Sequence, residues 1–349
     1  MPRAADVLRE AKDHTERAVE HELQLSQIEA TSCVCTTLEG LRGELTGLRR
    51  DVIAAAKEAG CVVASCGTHP LPRGEGSRIT PKPAYLRLEQ EYGLVARLQM
   101  LCGCHIHVGV SDPEVAIGVM NHARPWLPML LAVSVNSPFW QGEDSGFASF
   151  RTEIWRRWPI AGPPDRFGSR AEYDQMVEDL LAVGAIDAPA RLYWDVRPSA
   201  KFPTLEFRVA DAGLTVDDTI VQAGLTRALV RTCHREVTEG RTSPKPRPEL
   251  LRAAAWRAAR YGLEGDLIDL RSCTSRPAPE LVEDFLAVLR PALEELGDWE
   301  QVIAGVKRIQ EAGTGAVRQR RVYKDTGSLE DVVDFVVAHT NPVNEQPEG

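Results

Sequence analysis

The chain has no apolar run long enough to cross a bilayer: Met129 to Val135 falls far short of the roughly 20 residues a spanning helix needs. Its first residues, Met1-Pro2-Arg3-Ala4-Ala5-Asp6, lack the apolar core of a signal peptide. These absences exclude a membrane partner and predict a cytoplasmic protein. Positive charge is also short. Lys and Arg number 41 against 50 Asp and Glu, a formal net charge of −9, which disfavours non-specific binding to nucleic acid or anionic lipid. A polyanionic substrate must then be held by a local site or by metal ions. The eight cysteines have none of the dense, regular spacing of a secreted disulfide scaffold and read as reduced core residues. There is no internal repeat, no Walker or dinucleotide-binding glycine pattern, no Gly-x-Ser-x-Gly elbow and no convincing Ser/His/Asp order. What remains is 349 residues at 43% hydrophobic and 26% charged, ordinary for a globular protein of about two domains or one large one.

The stretch with most chemical character is Leu101-Cys102-Gly103-Cys104-His105-Ile106-His107-Val108-Gly109-Val110. The period of a strand puts Cys102, Cys104, Ile106, Val108 and Val110 on one face and Gly103, His105, His107 and Gly109 on the other. Two further strands have the same split. Gln27 to Val34 turns Gln27, Glu29 and Thr31 away from Ile28, Ala30 and Val34, and Thr204 to Ala210 turns Glu206 and Arg208 outward from Leu205, Phe207 and Val209. Around them the pattern predicts an opening helix to about Leu25 and a helix opened by a Thr36/Glu39 capping box, with Leu38, Leu41, Leu45, Leu48 and Val52 buried and Gly60 as its stop. A short strand over Cys61 to Ser65 follows, and helices capped at Asp112, Ser169 and Thr215 come later. The remainder after the Pro-rich link Ser243 to Pro248 is mostly helical.

Same-face histidines two apart on a strand lie about 7 Å apart, so His105 and His107 can line one ligand. A zinc centre that also used Cys102 and Cys104 would break the strand, because the sulfurs point the other way. Carboxylates from Glu29 and Glu206 with a histidine nitrogen suit Mg²⁺ or Mn²⁺ at a phosphate-handling site. Arg208 and Arg197 are candidate guanidinium clamps, against the plainer reading of surface ion pairs. The turn Gly313-Thr314-Gly315, followed by Arg318, could lend amides to an anion, and Trp256 reads as a core residue at a helix end.

In order along the chain, Gln27 to Thr31, Gly67 to Pro70, Cys102 to Gly109, Asn136 to Asp144, Pro203 to Arg208, Trp256 to Gly262 and Gly313 to Arg320 resemble the type 2 glutamate-cysteine ligases. These are carboxylate-amine ligases related to glutamine synthetase. The resemblance implies an α+β fold in which a curved antiparallel sheet lines an ATP and metal site, with helices on its outer face. It also implies one catalytic domain over 1–340 and a disordered tail over 341–349. Its activity would be ATP-dependent joining of a small carboxylic acid to an amine through an acyl phosphate, with glutamate and cysteine as reference substrates. Glu29, His105 and Glu206 match metal positions, His107 and Arg208 match positions facing the phosphates or the acid, and Arg197, Arg151 and Arg318 match more loosely. A homo-oligomer is expected from base rates alone.

Family members begin with a glutamate-bearing strand, and nothing before Glu29 reads that way, since Glu20 and Glu22 fall in a helical pattern. The chain is therefore expected to start inside the family pattern, either through a start placed downstream of the true one or as a variant with a thinned metal site. Two other readings stand beside the ligase: a nucleotide-binding pseudoenzyme, and a metal-dependent hydrolase built on His105 and His107.

Overall fold

Alternating strands bury one face only if something covers it, and here helices do so. The computed structural model describes residues 3–15, 18–72 and 79–342. Helix α1 (Ala4–His14) precedes a hairpin of β1 (Ala18–His21) and β2 (Ile28–Thr31), and α2 (Leu38–Glu58), α3 (Pro83–Tyr92) and α4 (Leu94–Leu98) lead to β3 (Gly103–Gly109). Next come α5 (Pro113–Ala123), α6 (Leu127–Ser134), the short hairpin β4 (Phe139–Trp140) and β5 (Glu143–Asp144), α7 (Phe150–Trp155) and α8 (Arg170–Ala182). Strands β6 (Val196–Pro198) and β7 (Thr204–Asp211) are followed by the long α9 (Val216–Thr238) and by α10 (Pro248–Tyr261). A last hairpin, β8 (Asp266–Asp269) and β9 (Thr274–Pro277), leads to the helices α11 (Ala278–Leu296), α12 (Trp299–Ala312), α13 (Gly315–Thr326) and α14 (Leu329–Thr340). The fold is α+β with small antiparallel sheets, as the sequence led us to expect. Of the expected tail, 343–349 lie outside the described residues.

The main sheet has the order β3-β7-β6, all antiparallel. Its register pairs Ile106 with Phe207, and Phe207 with Val196, on the covered face, and it pairs His107 with Glu206, and Glu206 with Arg197, on the other. Val196, Leu205 and Phe207 are buried under α5, α6 and α9, each contributing about 1.5–3 kcal/mol by leaving water. Helix α9 is set by a complete capping box between Thr215 and Asp218. It carries Ile220, Leu225 and Leu229 into the core.

Several expectations are corrected. The opening helix stops at His14, and Glu20 lies on β1 opposite Glu29. A β-strand pattern of four residues is too short to outweigh helical periodicity in a sequence window, and only pairing with β2 makes it a strand. Residues 61–65 find no strand partner and run as irregular chain. The α2 cap is Thr37, one residue later than expected, its hydroxyl accepting from the Gly40 amide. Trp256 is 42% exposed rather than core. Cys33 and Cys273 are exposed too, although Cys66 and Cys233 are buried and all eight cysteines are free.

Candidate functional site

The sheet face opposite the core forms the floor of the site. A bulge lies where one residue of β3, His105, faces two of β7, Arg208 and Val209. Bulges re-aim side chains, and this one sets His105 beside two carboxylates: its Nδ1 is 3.8 Å from Glu206 and 4.0 Å from Glu29 of the β1–β2 hairpin. Three residues distant in sequence thus meet through one imidazole. His107, next but one along β3, has its Nδ1 2.9 Å from the Thr204 hydroxyl, which leaves Nε2 for a ligand.

Glu206 is the most constrained of the three. Arg197 Nε donates to Glu206 Oε2 at 2.8 Å, and Arg208 Nη1 pairs with its other oxygen. Arg197 also donates to the carbonyls of Ala190 at 2.8 Å and Leu192 at 2.5 Å. The Arg208 guanidinium lies 5.3 Å from the Trp155 ring, a cation–π distance. Arg151 lies across Gly103, donates to the backbone carbonyls of Arg208 at 3.1 Å and Val209 at 3.4 Å, and stands 3.7 Å from Asp211. A Cβ at Gly103 would come within 2.8 Å of the Arg151 Cζ, so only glycine admits that guanidinium. Asp211, fully buried, accepts from Ser137 Oγ at 2.7 Å, Ser149 Oγ at 2.8 Å and the Asn136 amide at 2.7 Å. It locks the segment that carries Arg151 to the end of β7.

The electrostatics divide the site into a cationic and an anionic half. Burial raises the Glu206 carboxyl, but the Arg208 and Arg197 guanidiniums outweigh it and hold the group below its ordinary value. His105 is pushed well below the usual imidazole range by enclosure and then by Arg208, Arg151 and Arg197, so its ring is neutral. His107 is lowered too, chiefly by burial. On the hairpin the shift is opposite: desolvation raises Glu22, with Glu29 adding repulsion, and desolvation raises Glu29 against the opposing pull of Arg208, with Glu20 and Glu206 adding repulsion. Lys82 faces this group, its Nζ donating to the His21 carbonyl at 3.1 Å, and beside it the Tyr85 hydroxyl is pushed up to about 12 by burial and then by Glu22 and Glu29.

Crowded carboxylates beside a neutral imidazole are a donor set that a hard divalent cation would satisfy. Glu22, Glu29 and His105 fit such a group better than Glu206, whose two oxygens are already taken by arginines. Among the described residues, no cluster of three or more His, Cys, Asp or Glu side chains is gathered around a common point. Glu22, Glu20, Lys82, Tyr85 and Trp155 were not picked out from the sequence as site residues. The alternation of Glu20 and Glu22 was the available signal, read as helix instead.

The expected residues do not all converge. Glu29, His105, His107, Arg151, Arg197, Glu206 and Arg208 share one face. Arg318 does not. Its Nη2 donates to Asp218 Oδ2 at 2.6 Å in a cleft that it lines with Cys104, on the opposite side of β3 from His105. The turn before it is no anion cradle as it stands. The Ala316 amide donates to the Val135 carbonyl at 3.1 Å and the Val317 amide to the Thr314 hydroxyl at 3.4 Å.

The family model described as glutamate-cysteine ligase family 2 matches residues 2–335. A Frankia alni protein named "Putative glutamate--cysteine ligase 2-2" is 48% identical over 319 residues, which cover 91% of this chain and 83% of that one. A Rhodopirellula baltica protein named "Putative glutamate--cysteine ligase 2" is 41% identical over 347 residues, 98% of this chain and 92% of that one. Among solved structures, a bifunctional glutathione synthetase from Pasteurella multocida superposes with a TM-score of 0.66 at 18% identity, over 94% of this chain and 47% of that one. The Pup ligase PafA in complex with ADP matches with a TM-score of 0.50 at 14% identity, over 90% of this chain and 66% of that one. At these identities the two structures speak for the fold alone.

Proposed function

This chain belongs to the glutamate-cysteine ligase family 2, and from that premise we propose that it is an ATP-dependent ligase joining a small carboxylic acid to an amine, with glutamate and cysteine as the first pair to try. The observation that carries the proposal is the meeting of Glu29, His105 and Glu206 beside Arg197 and Arg208 on one sheet face.

At neutral pH an acid and an amine form a salt, so the acid oxygen must first become a leaving group. Attack of the carboxylate on the terminal phosphorus of ATP does this, giving an acyl phosphate and ADP. The amine nitrogen then attacks the acyl carbon, phosphate departs, and the nitrogen gives up a proton to complete the amide. Both steps gather negative charge in one place, and stabilising that charge with preorganised cations is the main work of the site. Glu22, Glu29 and His105 would hold Mg²⁺ or Mn²⁺. When bound, the ion supplies positive charge against the phosphate oxygens. Arg208 and Arg197, oriented in advance by Glu206, supply guanidiniums for phosphate or substrate carboxylate. Neutral His107 offers its Nε2, and Arg151 fixes the β7 backbone from which Glu206 and Arg208 project. The Glu206–arginine contacts remove most of the reorganisation these groups would otherwise need when substrate arrives.

The test is release of ADP and phosphate from ATP in the presence of Mg²⁺, glutamate and a panel of amines including cysteine, with the amide product identified by mass. Release that requires both acid and amine is the expected result. Nucleotide binding with no product from any acid and amine pair, under either Mg²⁺ or Mn²⁺, would overturn the ligase reading in favour of a nucleotide-binding pseudoenzyme.

A further inference from the structure

Residues 32–36 connect β2 to the Thr37 cap of α2, and they carry a cysteine pair that the site does not use. Cys33 is exposed and Cys35 half-buried. Their sulfurs stand 3.9 Å apart, the Cys35 thiol donates to the Cys33 carbonyl at 3.5 Å, and the Cys33 amide donates to Glu44 Oε1 at 3.3 Å. Between them Val34 is 97% exposed, so nothing covers the crown of the turn. The backbone on both sides is tied down, by β2 pairing with β1 and by the Thr37 cap. Among the other described cysteines, Cys66 and Cys233 are buried, and Cys273 is exposed but is a single thiol.

We propose that Cys33 and Cys35 form a dithiol site that exchanges with disulfides of small thiols. A disulfide needs its sulfurs about 2.05 Å apart. Closing the 3.9 Å between the two thiols to that length is the one movement the exchange requires of the turn. The exposed Cys33, as thiolate, attacks one sulfur of a small-molecule disulfide and releases one thiol, which takes up a proton. Cys35 then attacks the Cys33 sulfur of the mixed disulfide and expels the second thiol. Two protein thiols are oxidised and one small disulfide is reduced to two thiols, so electrons and protons balance. The assignment is independent of the ligase reading, because it uses no residue of the catalytic face.

The experiment exposes the reduced full-length protein to glutathione disulfide, alkylates remaining thiols and weighs the tryptic peptide 18–42, whose only cysteines are these two. The expected result is loss of both alkyl groups, with the peptide lighter than its dithiol form by two hydrogen atoms. Cys35→Ser should instead trap the glutathione adduct on Cys33, and Cys33→Ser should form less adduct because Cys35 is the less accessible thiol. A wild-type protein that keeps both alkyl groups under excess glutathione disulfide would overturn the proposal. So would one that accumulates the mixed disulfide as stably as Cys35→Ser.

Discussion

Replacing Glu206 with Gln keeps the shape of the side chain and removes the charge that two buried guanidiniums share. In the native protein Arg197 and Arg208 are each only 9% exposed at the side chain, and Glu206 is 7% exposed. A glutamine carbonyl can accept from one arginine, and its amide then faces the other donor to donor. Arg197 has a reserve in the Ala190 and Leu192 carbonyls. Arg208 has far less. Its Nε is already buried without a partner, and beyond the Trp155 ring only the charges of Glu29 and Glu22 remain near it. Breaking a buried ion pair from one side costs about 3–5 kcal/mol, and the reserve at Arg197 argues for the lower end, about 3 kcal/mol. That corresponds to roughly a hundredfold loss in the folding equilibrium. Urea titration followed by tryptophan fluorescence should show a lower midpoint with an unchanged slope. Adding Arg208→Met to Glu206→Gln should recover at least half of the loss, because the stranded charge is then gone. Equal stability of Glu206→Gln and wild type would refute the argument that this carboxylate balances the two arginines.

The carboxylates of the hairpin should behave in the opposite way: Glu29→Gln relieves like-charge crowding, so in metal-free buffer its stability should match or exceed wild type. Its Mg²⁺ requirement for ATP turnover should meanwhile rise, as read from rate against Mg²⁺ concentration. Gly103→Ala drives a methyl into the buried Arg151 guanidinium and should cost about 1–3 kcal/mol by the same urea assay, in the range of overpacked cores. A similar penalty is expected for Gly305→Ala, where the added carbon meets Val221 across the contact between α9 and α12. Finally, burial raises the Asp218 carboxyl, but Arg318 and Arg308 more than offset it and hold the group below its ordinary value. Its stabilisation is therefore complete above about pH 4 and is lost as pH falls through the depressed value. The midpoint gap between wild type and Asp218→Asn should be widest near neutrality and shrink on acidification.

Strand alternation carried the main sheet because β3 and β7 each have a covered face of Ile, Val, Leu and Phe residues, and that face must be consistent along the strand. It also identified which residues share the other face. Alternation says nothing of what roofs that face, and here the difference is large: Glu206 and Arg208 are nearly as hidden as Leu205. The roof comes from the β1–β2 hairpin, α7 and the chain around Ala190 to Tyr193, short segments whose position depends on pairing and on buried polar contacts rather than on any repeat. Glu22 was missed for that reason, since it directly follows β1, a strand that exists only through β2. Arg318 shows the converse limit. An arginine beside a glycine turn looks the same in sequence whether it faces a ligand or a carboxylate of its own chain, and Asp218, one turn into α9, claims it. The residues of this face could be read locally because one strand fixes the spacing between them. The charge state of each could not, because it is set by partners from other elements: Arg197 lowers Glu206 from the neighbouring strand, and Arg151 lowers His105 from α7.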